Sequence, residues 1–151
     1  MVCRFQSIQN EQNRLKTAVF LLPDSRPCGI LYEEVYEDSD TGIIRGMMGI
    51  GMSEDDDKKG AFELHFLYVD PDYLRMGIGS EMLQFYEQKG KEKGCTEFVV
   101  WVLEENGIGI SFYEKNGYHP DGKVKVFKRW NKREIRYIKL IPYELTADGK
   151  Y

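Results

Sequence analysis

The chain has 151 residues, 42% of them apolar, enough to bury one core and too few for two ordinary domains. Its 25 acidic and 21 basic residues leave a net charge of -4, which argues against nucleic acid as the main partner. Cys3, Cys28 and Cys95 are odd in number and lack paired spacing, so neither a zinc site nor a disulfide framework is expected, and the thiols read as reduced in a cytoplasm.

The opening MVCRFQSIQNEQNRLK is polar where a secretory signal needs an apolar block, and no apolar run approaches the roughly eighteen residues of a membrane span. A soluble, cytoplasmic protein without a membrane partner is the expectation. Ile8, Leu15, Val19 and Leu22 recur near helical spacing ahead of Pro23, which predicts a helix from Ile8 to Leu22. The stretches Ile30 to Glu37 and Ile43 to Met52 read as an antiparallel pair of strands joined by Asp38-Ser39-Asp40-Thr41-Gly42. The acidic run after Ser53 reads as a solvated loop rather than a metal site.

Ala61 to Asp70 is an aromatic and apolar strand ended by Pro71. A helix follows from about Gly77, its apolar stripe carried by Ile78, Met82 and Tyr86, with Gly90 weakening its end by about 1 kcal/mol relative to alanine. The unbroken apolar run Phe98 to Leu103 reads as a central strand covered on both faces. A second helix is expected from Ile108 to Asn116, ended by Gly117, and then two strands that turn near Asn131 and Lys132. The order helix, strand, strand, strand, helix, strand, helix, strand, strand is that of one mixed α/β layer.

The most informative stretch is Tyr68-Val69-Asp70-Pro71-Asp72-Tyr73-Leu74-Arg75-Met76-Gly77-Ile78-Gly79-Ser80. A strand, a turn, two glycines and a helix start leave several N–H groups without internal partners, and these converge on one spot where the helix dipole favours an anion. Absent side chains at Gly77 and Gly79 let a diphosphate approach. A tight turn without a ligand is an equal reading of the glycines alone. A dinucleotide loop is disfavoured by Met82 at the third glycine position, and a triphosphate loop by the missing Gly-Lys-Ser/Thr.

In Leu74-Arg75-Met76-Gly77-Ile78-Gly79 the chain resembles the GNAT superfamily, whose central motif is Gln/Arg-x-x-Gly-x-Gly/Ala. Leu74 replaces the usual Gln or Arg, with Arg75 one position later. Asn106-Gly107-Ile108-Gly109-Ile110-Ser111-Phe112-Tyr113-Glu114-Lys115-Asn116-Gly117-Tyr118 is similar to that family's second signature, Asn-x-x-Ala-x-x-Phe-Tyr-x-x-x-Gly-Phe, with Gly109 in place of alanine. The resemblance runs from about Ile30 to Leu140.

The resemblance implies one domain over 1–151, with an N-terminal helical region at 1–29, a core at 30–140 and a tail at 141–151. It implies an α/β (α+β) fold whose mixed, mostly antiparallel sheet has parallel, splayed central strands and flanking helices. It also implies acetyl-CoA as co-substrate, no metal, and an amine of a small molecule or peptide as acceptor, attacked directly in a ternary complex. The pantetheine arm would lie against backbone groups of Leu67, Tyr68 and Val69, and the diphosphate against Leu74, Arg75, Met76, Gly77, Ile78, Gly79 and Ser80. Asn106, Gly109 and Tyr113 would contact the coenzyme.

By the same resemblance Tyr113 donates a proton to the departing thiolate, and Glu63 or His65, two apart and on one strand face, deprotonates the amine. Each has a plain counterpart: a packed core tyrosine, a strand edge with water as the base, and a helix cap for Asn106. Acidic residues such as Glu33, Glu34, Glu63 and Asp72 would suit a cationic acceptor. Exposed edges of the final strands would permit a homodimer. The alternative function is an acyl-CoA-binding sensor without transfer activity.

Overall fold

The computed structural model describes residues 4–6, 15–19 and 30–142. Among the described residues eight strands form one sheet: β1 (Arg4–Gln6), β2 (Leu15–Val19), β3 (Ile30–Glu37), β4 (Ile44–Met52), β5 (Phe62–Val69), β6 (Glu97–Leu103), β7 (His119–Phe127) and β8 (Lys132–Leu140). Helices α1 (Ile78–Glu92) and α2 (Gly107–Lys115) follow β5 and β6. The strand order is β1-β2-β3-β4-β5-β6-β8-β7, with β5 and β6 parallel and every other neighbouring pair antiparallel. This is the mixed sheet with central parallel strands that the sequence led us to expect.

One expectation fails. Leu15–Val19, placed in a helix by the spacing of Leu15 and Val19, is a strand paired antiparallel with β3. The rest of the expected Ile8–Leu22 helix lies outside the described residues. Pairing to an open sheet edge outweighs a four-residue apolar spacing, which is weak evidence over so few residues. β1 at Arg4–Gln6 extends the same edge, paired antiparallel with β2.

The β3–β4 hairpin closes as its loop chemistry dictates. The Gly42 N–H donates to the Asp38 carbonyl at 2.7 Å, and Gly42 takes a φ of 72° that a side chain would resist. On one face of the sheet Met48, Ile50, Phe62, Leu64, Phe98 and Val100 pack beneath Met82, Leu83 and Tyr86 of α1. Each fully buried large side chain here contributes about 2 kcal/mol.

The Tyr86 hydroxyl donates to the Phe62 carbonyl at 2.7 Å and accepts from the Val99 N–H at 3.2 Å, tying β5 to β6. Gly90 is no mere weak point of α1. A Cβ there would stand 2.3 Å from a ring carbon of Phe98 and 2.8 Å from one of Phe62, so its absence lets the helix settle onto the two strands. Among the described residues no helix is long and apolar enough to cross a membrane.

Candidate functional site

β5 and β6 stay together only from Phe62 to Leu64 against Phe98 to Val100. Beyond that they part. On its other side β5 remains paired with β4, but Ile50 opposes Leu64 while Gly49 opposes Phe66, which makes His65 an extra residue in a bulge. The bulge switches the alternation: Phe62 and Leu64, then Leu67 and Val69, pack toward the helices, whereas the Phe66 and Tyr68 rings stack at 5.6 Å, with the Phe66 ring against Gly49.

The backbone phase follows from one bond. The Asp70 N–H donates to the Arg45 carbonyl at 2.7 Å, so the antiparallel alternation aims Tyr68 at β4 and turns the N–H and C=O groups of Val69 and Leu67 toward the gap. Of the three backbone positions expected to line the gap, Leu67 and Val69 carry polar groups into it. The Tyr68 backbone faces β4, and its ring is exposed.

After β5 the chain makes a 3-10 turn at Pro71–Tyr73. The Asp70 side chain caps it, accepting from the Asp72 N–H at 3.1 Å and from Arg45 at 2.9 Å. Leu74 is extended, Arg75 has a φ of 62° and Gly77 a φ of 84°. A left-handed arginine costs about 1–2 kcal/mol. The turn holds that strain in an exposed loop whose apolar side chains Leu74 and Met76 face solvent. The first bond inside α1 runs from the Glu81 N–H to the Gly77 carbonyl at 3.0 Å, so the amides of Ile78, Gly79 and Ser80 begin the helix with no side-chain cap from Gly77.

The two glycines do different work. A Cβ at Gly77 would meet nothing within 4 Å among the described residues, so this residue is needed for its positive φ and leaves the approach to the amides open. A Cβ at Gly79 would touch Phe112 at 3.4 Å and Val69 at 3.9 Å. Gly79 therefore faces inward, to the seam between α1, α2 and β5, and not toward the space before the helix.

Asn106 caps α2, its Oδ1 accepting from the Gly109 N–H at 3.0 Å. A Cβ on Gly109 would lie 2.6 Å from Asn106 Nδ2, so the glycine that replaces alanine suits this cap. Tyr113 is buried one helix turn on, its ring edge-on to Phe112 and Tyr118 at 5.1 and 5.8 Å. Burial pushes its phenol well above the ordinary tyrosine value, so the hydroxyl keeps its proton.

On the face away from the helices Glu63 is buried, with Oε1 3.5 Å from His65 Nδ1. Burial raises the Glu63 carboxyl above the usual value, opposed by the His65 charge and a hydrogen bond from Ser53. The His65 Nε2 is buried without a partner among the described residues. Such a nitrogen is costly unless something bonds it. Both candidate bases thus share one place beside the bulge, as their spacing implied.

Sequence reasoning missed the rest of this face. Asp55 and Asp57 of the acidic run do not simply dissolve in water: they clamp Arg136, itself only 2% exposed, at 3.0 and 2.6 Å, with Asp121 at 2.7 Å as a third partner. Trp101 donates its ring N–H to Asp55 at 3.0 Å and carries the Lys125 ammonium over its ring at 4.0 Å. The Arg136 bond holds Asp57 far below the usual carboxylate range. Glu134 is raised by burial against the pull of Lys125. An arginine on an alternating strand opposite a run of aspartates was the available signal.

The family model described as Acetyltransferase (GNAT) family matches residues 3–118. The chain belongs to the GNAT family. It is 41% identical over 56 residues to a spermidine N(1)-acetyltransferase of Thermoplasma acidophilum, 37% of this chain and 35% of that protein. It is 35% identical over 66 residues to an aminoglycoside N(6')-acetyltransferase type 1 of Acinetobacter genomosp. 13, 44% of this chain and 45% of that one. The matches span less than half the length of these relatives.

Among solved structures, the fold is similar to that of the PaiA N-acetyltransferase from Thermoplasma acidophilum in complex with coenzyme A. That match has a TM-score of 0.57 and 25% identity, over 72% of this chain and 60% of the other. The GNAT sheet expected from the two motifs is therefore the one found, and the opening between β5 and β6 lies beside the turn that carries the first motif.

Proposed function

We propose that this chain is an N-acetyltransferase that moves an acetyl group from acetyl-CoA to a primary amine of a small molecule or peptide, by direct attack in a ternary complex. The observation that carries this reading is the gap that opens at His65, flanked by the bare amides at the start of α1. The names of two relatives, which acetylate spermidine and an aminoglycoside, support an amine as acceptor.

In this reading the amides of Gly77, Ile78, Gly79 and Ser80 bind the diphosphate, with Arg75 and the exposed Leu74 and Met76 along the same loop. Leu67 and Val69 hydrogen-bond the pantetheine arm in the gap, and the Val69 N–H polarises the thioester carbonyl as charge develops on its oxygen. Asn106 and Gly109 flank the coenzyme at the start of α2.

The amine loses its proton to Glu63, whose carboxylate burial makes a stronger base than an exposed one, with His65 holding the carboxylate in place or relaying the proton. Tyr113, protonated in the resting enzyme, passes its proton to the leaving thiolate and takes up the second proton that leaves the nitrogen. The chain acts in the cytoplasm, and β7, an edge strand with Val124 and Val126 exposed, offers a surface for a homodimer. Calorimetry with acetyl-CoA, followed by thiol release across a panel of polyamines, aminoglycosides and peptides, tests the reading. Coenzyme binding with thiol release for at least one amine is expected, and no coenzyme binding would sink it.

A further inference from the structure

A lysine ammonium lies over the first β6 residue past the parting of β5 and β6. β5 and β6 separate after Leu64 and Val100, so Trp101 is the first β6 residue past the point of parting, on the strand face that also carries Arg136 and the Glu63 and His65 pair. The Lys125 ammonium crosses β8 to lie 4.0 Å over the Trp101 ring, with Glu134 Oε2 at 3.9 Å. The ring positions the charge, and the long contact to Glu134 does not lock it as the clamp locks Arg136. The Lys125 side chain is 45% exposed, so nothing walls it off. Its charge also bears on Glu63, lowering that carboxyl's pKa.

We propose that Lys125 is an intramolecular acetyl acceptor, so that the protein acetylates itself at this position. The proposal rests on the acetyltransferase reading above. The Lys125 ammonium gives one proton to Glu63, and the neutral amine attacks the thioester carbonyl of acetyl-CoA. As the carbon–nitrogen bond forms and the carbon–sulfur bond breaks, the thiolate takes a proton from Tyr113, which is made good by the second proton leaving the nitrogen. The products are acetyl-lysine, coenzyme A thiol and one proton released to solvent from Glu63. Acetylation removes the positive charge over Trp101 and leaves the acetyl group in the path of an external amine, so the modification would also slow turnover.

The test is to incubate the native chain with acetyl-CoA and no other acceptor, follow intact mass, and map the modified lysine by digestion. One acetyl increment is expected, at Lys125, with occupancy at least tenfold above that of the more exposed Lys59, at a rate independent of protein concentration. Lys125→Arg should abolish it, and unfolding in urea should remove the excess over Lys59.

Coenzyme binding by calorimetry with no excess at Lys125 overturns self-acetylation and leaves the acetyltransferase reading standing. An excess that survives in urea, or a rate that rises with protein concentration, overturns it as well. No coenzyme binding at all overturns both.

Discussion

The Nδ1 of His65 lies 3.5 Å from Oε1 of Glu63, and the two sit where β5 bulges away from β4 and parts from β6. Burial raises the Glu63 carboxyl above its ordinary value, and the neighbouring imidazole opposes that rise. That balance sets a direction for the pH dependence.

Glu63 must be deprotonated to accept a proton, so kcat/KM should rise with pH along a limb above the usual glutamate range of about 4.3. Acid protonates the group and removes the activity. Glu63→Gln should abolish that limb and lower the rate about a hundredfold at neutral pH. His65→Gln removes a charge that lowers the carboxyl's pKa and should move the limb to higher pH. A full pH–rate profile of the three proteins checks this, and an unchanged limb in Glu63→Gln assigns the base to another group or to water.

Tyr113→Phe deletes one hydroxyl from a buried ring whose packing on Phe112 and Tyr118 is otherwise kept. Turnover should fall tenfold or more while the calorimetric affinity for coenzyme A changes little. An unaltered rate would mean that Tyr113 is only a packed core residue.

Most of the fold from Ile30 onward was legible because its punctuation is local. Gly42, Pro71, Gly77 and Gly117 mark ends that need no tertiary knowledge. What could not be read depends on partners far along the chain. The bulge at His65 exists only in its register with β4. The small size of Gly90 answers the rings of Phe62 and Phe98. β2 is a strand because β3 offers it an edge. Of the site, the motif residues were visible, while Trp101, Lys125, Glu134 and Arg136 become neighbours only once β6, β8 and β7 are laid side by side.

Arg136 anchors Asp55, Asp57 and Asp121 on the face that carries Glu63. Arg136→Met should cost about 2 kcal/mol at pH 7, because the buried cation is removed and its carboxylates are left crowded together. Asp57 is lowered by the Arg136 bond. Burial pushes Asp121 up, but the same arginine outweighs it and leaves it below the ordinary value. Groups lowered in the folded state stabilise it above their unfolded pKa, and that contribution is lost as pH falls through the acid range below about 4. Urea unfolding at pH 7 and in that acid range should therefore show a smaller difference for Arg136→Met than for the wild type, and equal differences would count against the clamp.

The two glycines of the turn should respond differently. Gly79→Ala places a methyl at 3.4 Å from Phe112, an ordinary contact, and should leave both fold and coenzyme affinity within about twofold of wild type. A loss of affinity on that change would show that Gly79 faces the coenzyme.

The central claim is that the amides after the Gly77 turn hold the coenzyme's diphosphate, and calorimetric titration of coenzyme A into Gly77→Glu tests it most directly. The substitution sits in open space, costs about 1–2 kcal/mol for its positive φ, and sets a carboxylate before those amides. At least a tenfold loss of affinity is predicted, with the circular dichroism spectrum of the fold retained. Wild-type affinity in that folded variant would contradict the account.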